Sequence, residues 1–362
     1  MPADLVNMPP SYACGYADQL VSVPDEVMTP AQATAAFLKP PLDGVTCRGR
    51  LVGLPREFNL EYGGILVDMT RYRSKISGRT PANWKTWADV VTDAQALTER
   101  DAAGNVTVAG LDFRHRAPVK HILLSLILQK GGQYWTPDQT RFEFKTPQAE
   151  AAVQWMVDAA LTHRYLDPRG PASVTGPWAL ALVQERAAMV YVGTWGHAIA
   201  SAALKDLGKN IELAYFAHPP FEGSQHLYVQ NSGWSLVVPR SSTRAAAAMD
   251  FLKWMTTDAT NVRDWNRLAG SISPLQVHAS AQALASDPVV SQVQPLLLQG
   301  NWVGYIPPVP LTETRDSWYN AVVAAMRGKA TTAGGTEEDF DAKQAAERMH
   351  QECNASMDRA QQ

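Results

Sequence analysis

The chain has 362 residues, 46% of them hydrophobic and 19% charged, with 32 basic against 35 acidic side chains and a formal net charge of -3. That composition is globular and long enough for two domains, and the charge balance excludes the basic excess that marks nucleic-acid binders. The apolar stretch Ile122–Leu128 breaks at Ser125 and stops at Gln129 and Lys130, far short of the roughly 20 residues a membrane-spanning helix needs.

The first β-like runs are Leu5–Asn7, Leu51–Leu54 and Ile65–Asp68. Residues 81–99 read as a helix entered through Thr86, with Asp89 three positions on as a capping box. Trp87, Val90, Val91, Ala94 and Leu97 form its apolar stripe. The next helix starts at Arg116 or Pro118 and ends at Gly131-Gly132, a pair suited to a left-handed cap. Thr146 before Pro147 predicts an N-cap with proline in the first turn, and Val153, Met156, Val157, Ala160 and Leu161 continue that helix on one face. Further runs at Ala188–Val192, Ile211–Phe216 and Trp234–Val238 precede a helix over 242–256, with Ala248, Phe251, Leu252 and Met255 facing inward. From Leu311 onwards the spacing predicts an almost wholly helical segment ending in a polar surface helix. Strands alternating with helices argue for an α/β fold with mixed or parallel sheets. No composition-biased linker separates two halves, so the chain is expected to cross between its domains more than once.

Eleven Trp and eleven Tyr are a positive clue, because a flat indole stacks on the C–H face of a sugar ring. Trp87, Trp155 and Trp254 sit at helical spacing from apolar residues and read as core, whereas the others lie near Gly, Asn and Pro, where elements end and ligands are met. Cys14, Cys47 and Cys353 are too few for a disulfide scaffold and lack metal-site spacing. The eight His residues are dispersed; only His115 and His121 share a short segment, and neither has a Cys or carboxylate at ligand spacing. Gly233-Trp234-Ser235 continues with Leu236-Val237 and is not a nucleophile elbow. Val323 stands where a phosphate loop ending at Gly328-Lys329 needs its first glycine. Glu57, Glu61 and Glu313 are the acids nearest to aromatic residues, so a carboxylate-pair hydrolase stays open. Met1 to Asn7 has neither the basic nor the apolar region of a secretory signal.

Several segments together resemble the family 1 extracellular solute-binding proteins of ABC transporters, the group of the maltose-binding and glycerol-3-phosphate-binding proteins. Ala3-Asp4-Leu5-Val6 with Gly15-Tyr16-Ala17 is similar to the family's early strand and tyrosine-containing helix. Gly53-Leu54-Pro55 and Leu66-Val67-Asp68 resemble the strands at its first hinge crossing, with Val67-Asp68 in place of Tyr-Asn. Lys85-Thr86-Trp87-Ala88-Asp89-Val90, Leu97-Thr98 and Gly104 resemble its T-W-x-E-L and L-T signature. Tyr191-Val192-Gly193-Thr194-Trp195-Gly196 is similar to a strand ending at G-x-W, and Ser232-Gly233-Trp234 with Ala248 to Met255 resembles the return crossing and its helix.

The resemblance implies a two-lobed α/β periplasmic-binding-protein type II fold, with one lobe from 1–58 and 234–278 and the other from 59–233 and 279–362. Crossings are expected near Phe58–Tyr62, Asn231–Trp234 and after Pro274. It further implies capture of a sugar or oligosaccharide in the interlobe cleft by a monomer, periplasmic or extracellular, with delivery to membrane permease subunits, no cofactor, no metal and no chemical step. Trp195 and Trp318 match aromatic positions of sugar-binding members, and each is a stacking platform or else a buried structural Trp. Glu57, Asn59, Glu61 and Tyr62 at the first crossing, and Asn231 with Trp234 at the return, are hydroxyl-binding or stacking candidates against ordinary hinge packing. Tyr134 and Trp135 form a lip of the cleft or cover the core. An anionic polyol is the rival ligand, motivated by Arg56 and by Arg114-His115-Arg116. Cys14 and Cys47 flank elements that the resemblance places side by side, which makes a bridge available to them in an oxidising compartment, and the sequence leaves open whether they form it. Against the family pattern the chain begins at the third strand, without the signal and first β-α-β unit. Reading the DNA upstream of Met1 in frame is therefore expected to reveal both.

Overall fold

The helix signals of the sequence become helices in the computed structural model, which describes residues 3–59, 63–167, 179–221, 227–230, 233–278, 287–293, 302–304, 314–332 and 334–360. Helix Trp87–Leu97 opens at Thr86 because the Asp89 carboxylate accepts the backbone N–H groups of Thr86 and Lys85, at 3.0 and 2.8 Å. Helix Arg116–Gln129 is followed by Gly131 at φ 76°, the left-handed conformation that the glycine pair predicts. Helix Pro147–Leu161 is entered through Thr146, whose hydroxyl accepts the N–H of Ala149 at 3.2 Å.

By its internal contacts the chain divides into two units. The first is Met1–Glu61, Gly193–Ala198 and Gln230–Leu311; the second is Tyr62–Val192, Ile199–Val229 and Thr312–Gln362. The lobes read from the sequence are 1–58 with 234–278 and 59–233 with 279–362. Two segments differ. Gly193–Ala198 and the stretch up to Leu311 belong with the first unit and not the second. The former is drawn in by Gly270, where a Cβ would lie 2.7 Å from the Ala198 Cβ and 3.1 Å from the Trp195 Cα.

In the first unit, strand Trp234–Val237 is the centre of a three-stranded sheet and runs antiparallel to Val6–Met8 and Leu54–Glu57. Phe37, Val45, Val52, Leu54, Val237, Val238 and Leu252 are enclosed beneath it. Cys14 and Cys47 form a disulfide across a Cα–Cα distance of 5.1 Å, which ties the early helical segment to strand Thr46–Cys47. The bridge spans a sequence separation of 33, so closing that loop in the unfolded chain is worth about 3 to 4 kcal/mol. Reduction with a phosphine should lower the unfolding midpoint of the first unit accordingly. An unchanged midpoint after complete thiol release would show that the bridge adds nothing.

In the second unit, Gly64–Asp68 is the buried central strand between Met189–Val192 and Leu213–Ala217, antiparallel to both. Of the mixed or parallel sheets left open by the sequence, the wholly parallel one is excluded, since these ladders are antiparallel. Among the described residues, parallel pairing occurs at two isolated bridges, Ala109 with Ala187 and Asp112 with Val190. Alternation of strands and helices fixes connection lengths but not which strand sits beside which. Two aromatic clusters fill this unit. Trp87 stacks on Phe221 at 5.0 Å and meets the Trp155 edge at 5.2 Å. The second cluster holds Phe142, Phe144 and Trp318.

Three sequence expectations about helix faces are corrected. Trp254 and Phe251 are 52% and 48% exposed, because helix Ala245–Thr257 turns Ala248, Met249, Leu252 and Thr256 inward and leaves those two rings beside that arc. The C-terminal segment is not wholly helical, since hairpin Lys329–Thr331/Glu337–Asp339 separates helix Thr314–Arg327 from helix Ala342–Ala360. The last helix is also no mere surface element. Ala342, Ala345, Ala346, Met349, Cys353 and Met357 repeat at helical spacing and are all buried.

Candidate functional site

Strand Leu54–Glu57 ends at the first crossing, where Glu57 is buried at 5% exposure. Its carboxylate is held entirely from within the first unit. Oε1 accepts Asn59 Nδ2 at 2.9 Å, while Oε2 accepts Arg56 Nη2 at 3.1 Å, Trp265 Nε1 at 3.2 Å and Ser271 Oγ at 3.5 Å. Ser271 donates its better hydrogen bond to Asn266 Oδ1 at 2.7 Å, and Asn266 donates to the Arg56 carbonyl at 3.3 Å. The Arg56 guanidinium lies 4.3 Å from the Trp265 ring centroid. Glu57 thus fastens the end of its strand to helix Ala259–Ala269 and the turn after it.

The neighbouring backbone is close-packed. Gly233 has φ 94°, and a Cβ there would lie 2.3 Å from the Glu57 carbonyl oxygen, so no side chain fits between the return crossing and the first. Trp234 pairs across from Glu57 at a register shift and is half-buried. Trp195 opens helix Trp195–Asp206 and is half-buried too. Asn59 is 2% exposed, and Thr194 and Ser235 are fully buried. Their Asn59 Oδ1, Thr194 Oγ1 and Ser235 Oγ atoms have no hydrogen-bond partner among the described residues. Buried polar atoms of this kind are a feature of sites that take a ligand or ordered water.

Of the residues singled out from the sequence, Glu57, Asn59, Trp195 and Trp234 fall in the first unit, the first two joined by a direct hydrogen bond. Glu61, Tyr62 and Asn231, like Glu313, lie outside the described residues. Trp135 is in the second unit, half-buried and stacked on Phe142 at 4.1 Å, so it lies over the core with one face in use. Trp318 is 1% exposed, with its faces and edges against Phe142 and Phe144 at 5.0 and 5.2 Å. A ring enclosed to that degree presents no face to a ligand. Trp265, which the sequence reading did not name, emerges instead, and its neighbours Asn266 and Gly270 are the helix-end signal that pointed to it.

Two of the three arginines behind the anionic alternative, Arg56 and Arg114, are engaged with acids, and Arg116 lies over the Tyr319 ring at 5.9 Å. Arg56 is paired with Glu57. Arg114 bonds Asp112 through Nε at 3.0 Å and Nη2 at 2.9 Å, and also donates to the Asp167 carbonyl. Burial works to raise the Asp112 pKa, but the charge and hydrogen bonds of Arg114 outweigh it and hold that carboxyl below its usual range. A recess of about 650 Å³ on the second unit, lined by Tyr319, Arg327, Lys329, Glu337 and Arg348, contains none of the predicted site residues. Its Lys329 and Arg348 pair with Asp339 and Glu352.

The model of the bacterial extracellular solute-binding protein family matches residues 51–262, more than half of the sequence. The chain belongs to that family. No curated protein sequence matches it. Among solved structures it is similar to an ABC transporter solute-binding protein from Thermotoga lettingae bound with alpha-D-tagatose, at TM-score 0.76 and 18% identity over 98% of this chain and 85% of that one. The Thermus thermophilus maltotriose-binding protein with maltotriose follows at TM-score 0.72 and 19% identity, over 98% and 86%. The cyclic alpha-maltosyl-1,6-maltose binding protein of Arthrobacter globiformis matches at TM-score 0.71 and 18% identity, over 98% and 85%. These likenesses establish the two-lobed solute-binding fold, and the family is one of extracellular binding proteins rather than enzymes. No helix among the described residues is long and apolar enough to cross a membrane.

Proposed function

We propose that this solute-binding protein is the extracytoplasmic component of an ABC importer, taking a neutral sugar or short oligosaccharide and delivering it to membrane permease subunits without a chemical step. The observation that carries the choice of a neutral ligand is the internal neutralisation of Arg56 by Glu57 and of Arg114 by Asp112, two of the three arginines that motivated an anionic polyol. Sugar-bound relatives of the same fold support the same class of solute. Asn59, Trp195 and Trp234 are the ligand-facing candidates of the first unit and Trp135 that of the second. The acid, phenol and amide of the crossings, Glu61, Tyr62 and Asn231, supply hydroxyl-binding or stacking groups. The protein works as a monomer in the periplasm or outside the cell, meeting the membrane through its permease, with no cofactor.

Intrinsic fluorescence should shift on titration with maltose, maltotriose or mannobiose, because a bound sugar desolvates indoles. Trp195→Ala should weaken that binding by at least about 1 kcal/mol, near fivefold in Kd. A Trp195→Ala protein with wild-type affinity would take Trp195 out of the site. Release of reducing sugar from any of these oligosaccharides would replace the transport reading with a hydrolase.

A further inference from the structure

We infer that Trp265 is a stacking residue for a pyranose unit of the bound sugar, held in place by Glu57 and Arg56 behind it. This rests on the sugar-binding reading above. Trp265 stands on helix Ala259–Ala269 between the buried positions Val262 and Asn266 and the 75% exposed Leu268. It is itself 37% exposed. One face is covered by the Arg56 guanidinium at 4.3 Å, while the Arg56 side chain is only 15% exposed. The covered face leaves the opposite face as the one a ligand can stack on.

That face cannot turn away. The indole N–H is donated to the Glu57 carboxylate at 3.2 Å, and the same carboxylate is fixed by Asn59 and Arg56. A large aromatic ring held this firmly loses little rotamer freedom when something binds to it, which is what makes aromatic residues effective binding anchors. The cation behind the ring draws π density away from the open face, and the carboxylate on the indole N–H returns some of it. What remains is a flat apolar surface whose contribution is desolvation.

Asn59 shares the Glu57 carboxylate with Trp265, is 2% exposed, and leaves its Oδ1 unpartnered among the described residues. A flat apolar ring joined through one carboxylate to an unsatisfied amide acceptor fits a ligand with an apolar C–H face and hydroxyl donors at its edge. A partner protein's aliphatic side chain would cover the indole but leave that acceptor unmet. Glu57 is accordingly a positioning residue and not the ligand contact the sequence suggested.

The test is calorimetric titration of the full chain with maltose, maltotriose and mannobiose, for the wild type, Trp265→Ala, Trp265→Phe and Trp254→Ala. Expected are a loss of at least tenfold in affinity for Trp265→Ala, a smaller loss for Trp265→Phe, and no more than a twofold change for Trp254→Ala. Affinity within twofold of wild type in both Trp265 variants overturns the assignment and leaves the sugar-binding function standing. Absence of binding to every sugar by the wild type overturns that function and this assignment together. Should Trp265→Ala lose its near-ultraviolet circular dichroism, acrylamide quenching decides. The emission lost between wild type and Trp265→Phe must become shielded at saturating sugar, and emission that stays quenchable overturns the assignment.

Discussion

Replacing Trp318 with Ala should cost the second unit about 3 to 5 kcal/mol of stability, the range for removing a large buried aromatic side chain. The indole is 1% exposed and meets Phe142 and Phe144 at 80° and 65°, edge-on contacts at 5.0 and 5.2 Å. Such pairs contribute about 0.5 to 1.5 kcal/mol beyond the area they bury. The helix that carries Trp318 also packs against Pro147–Leu161 and Ala342–Ala360, so a void opened there is bordered by three helices that have no shared room to collapse. Chemical denaturation followed by near-ultraviolet circular dichroism measures the loss. A change below about 1 kcal/mol, accompanied by a large drop in sugar affinity, would return Trp318 to the binding site.

Arg114→Ala should be as damaging, at about 3 to 5 kcal/mol, because it strips a buried carboxylate of its cation. Asp112 is 5% exposed, and it accepts both the Arg114 backbone N–H at 2.9 Å and two guanidinium donors. Arg114→Lys keeps the charge but not the two-pronged fit, so it should recover only part of the loss. Replacing both partners, as Asp112→Asn with Arg114→Met, should be milder than Arg114→Ala alone, since no isolated charge is left behind. A double variant less stable than Arg114→Ala would contradict this account. The pair also sets an acid limit. Arg114 holds the Asp112 carboxyl below the usual carboxylate range in the folded protein, so its contribution is complete above that range and is lost as the pH falls through the folded-state pKa.

Local chemistry made much of this fold legible. Thr86 with Asp89, Thr146 with Pro147, and the glycine pair at 131 and 132 placed helix ends to within a few residues of Trp87–Leu97, Pro147–Leu161 and Arg116–Gln129. The apolar runs at Ile65 and Ala188 became strands Gly64–Asp68 and Met189–Val192. Partnership was not legible, because the bonds that define it span most of the chain. Glu57 read as a hinge acid free to meet a hydroxyl, yet Trp265 and Ser271, 208 and 214 residues away, consume its acceptor capacity. The exposure of Trp254 escaped for a related reason. Spacing alone gives a helix a stripe, and only the partner strand decides which edge of that stripe is covered.

The interleaving of the two units governs how the protein is made. Its first unit needs residues 1–61, 193–198 and 230–311, and the second is not complete until 312–362 has been added. At roughly 5 to 20 residues per second of synthesis, the interval from residue 61 to residue 311 is on the order of 10 to 50 seconds. Until residue 237 has been made, strands Val6–Met8 and Leu54–Glu57 lack Trp234–Val237, the strand that joins them. Neither unit can therefore fold as a contiguous nascent domain: each has to wait for segments made after part of the other.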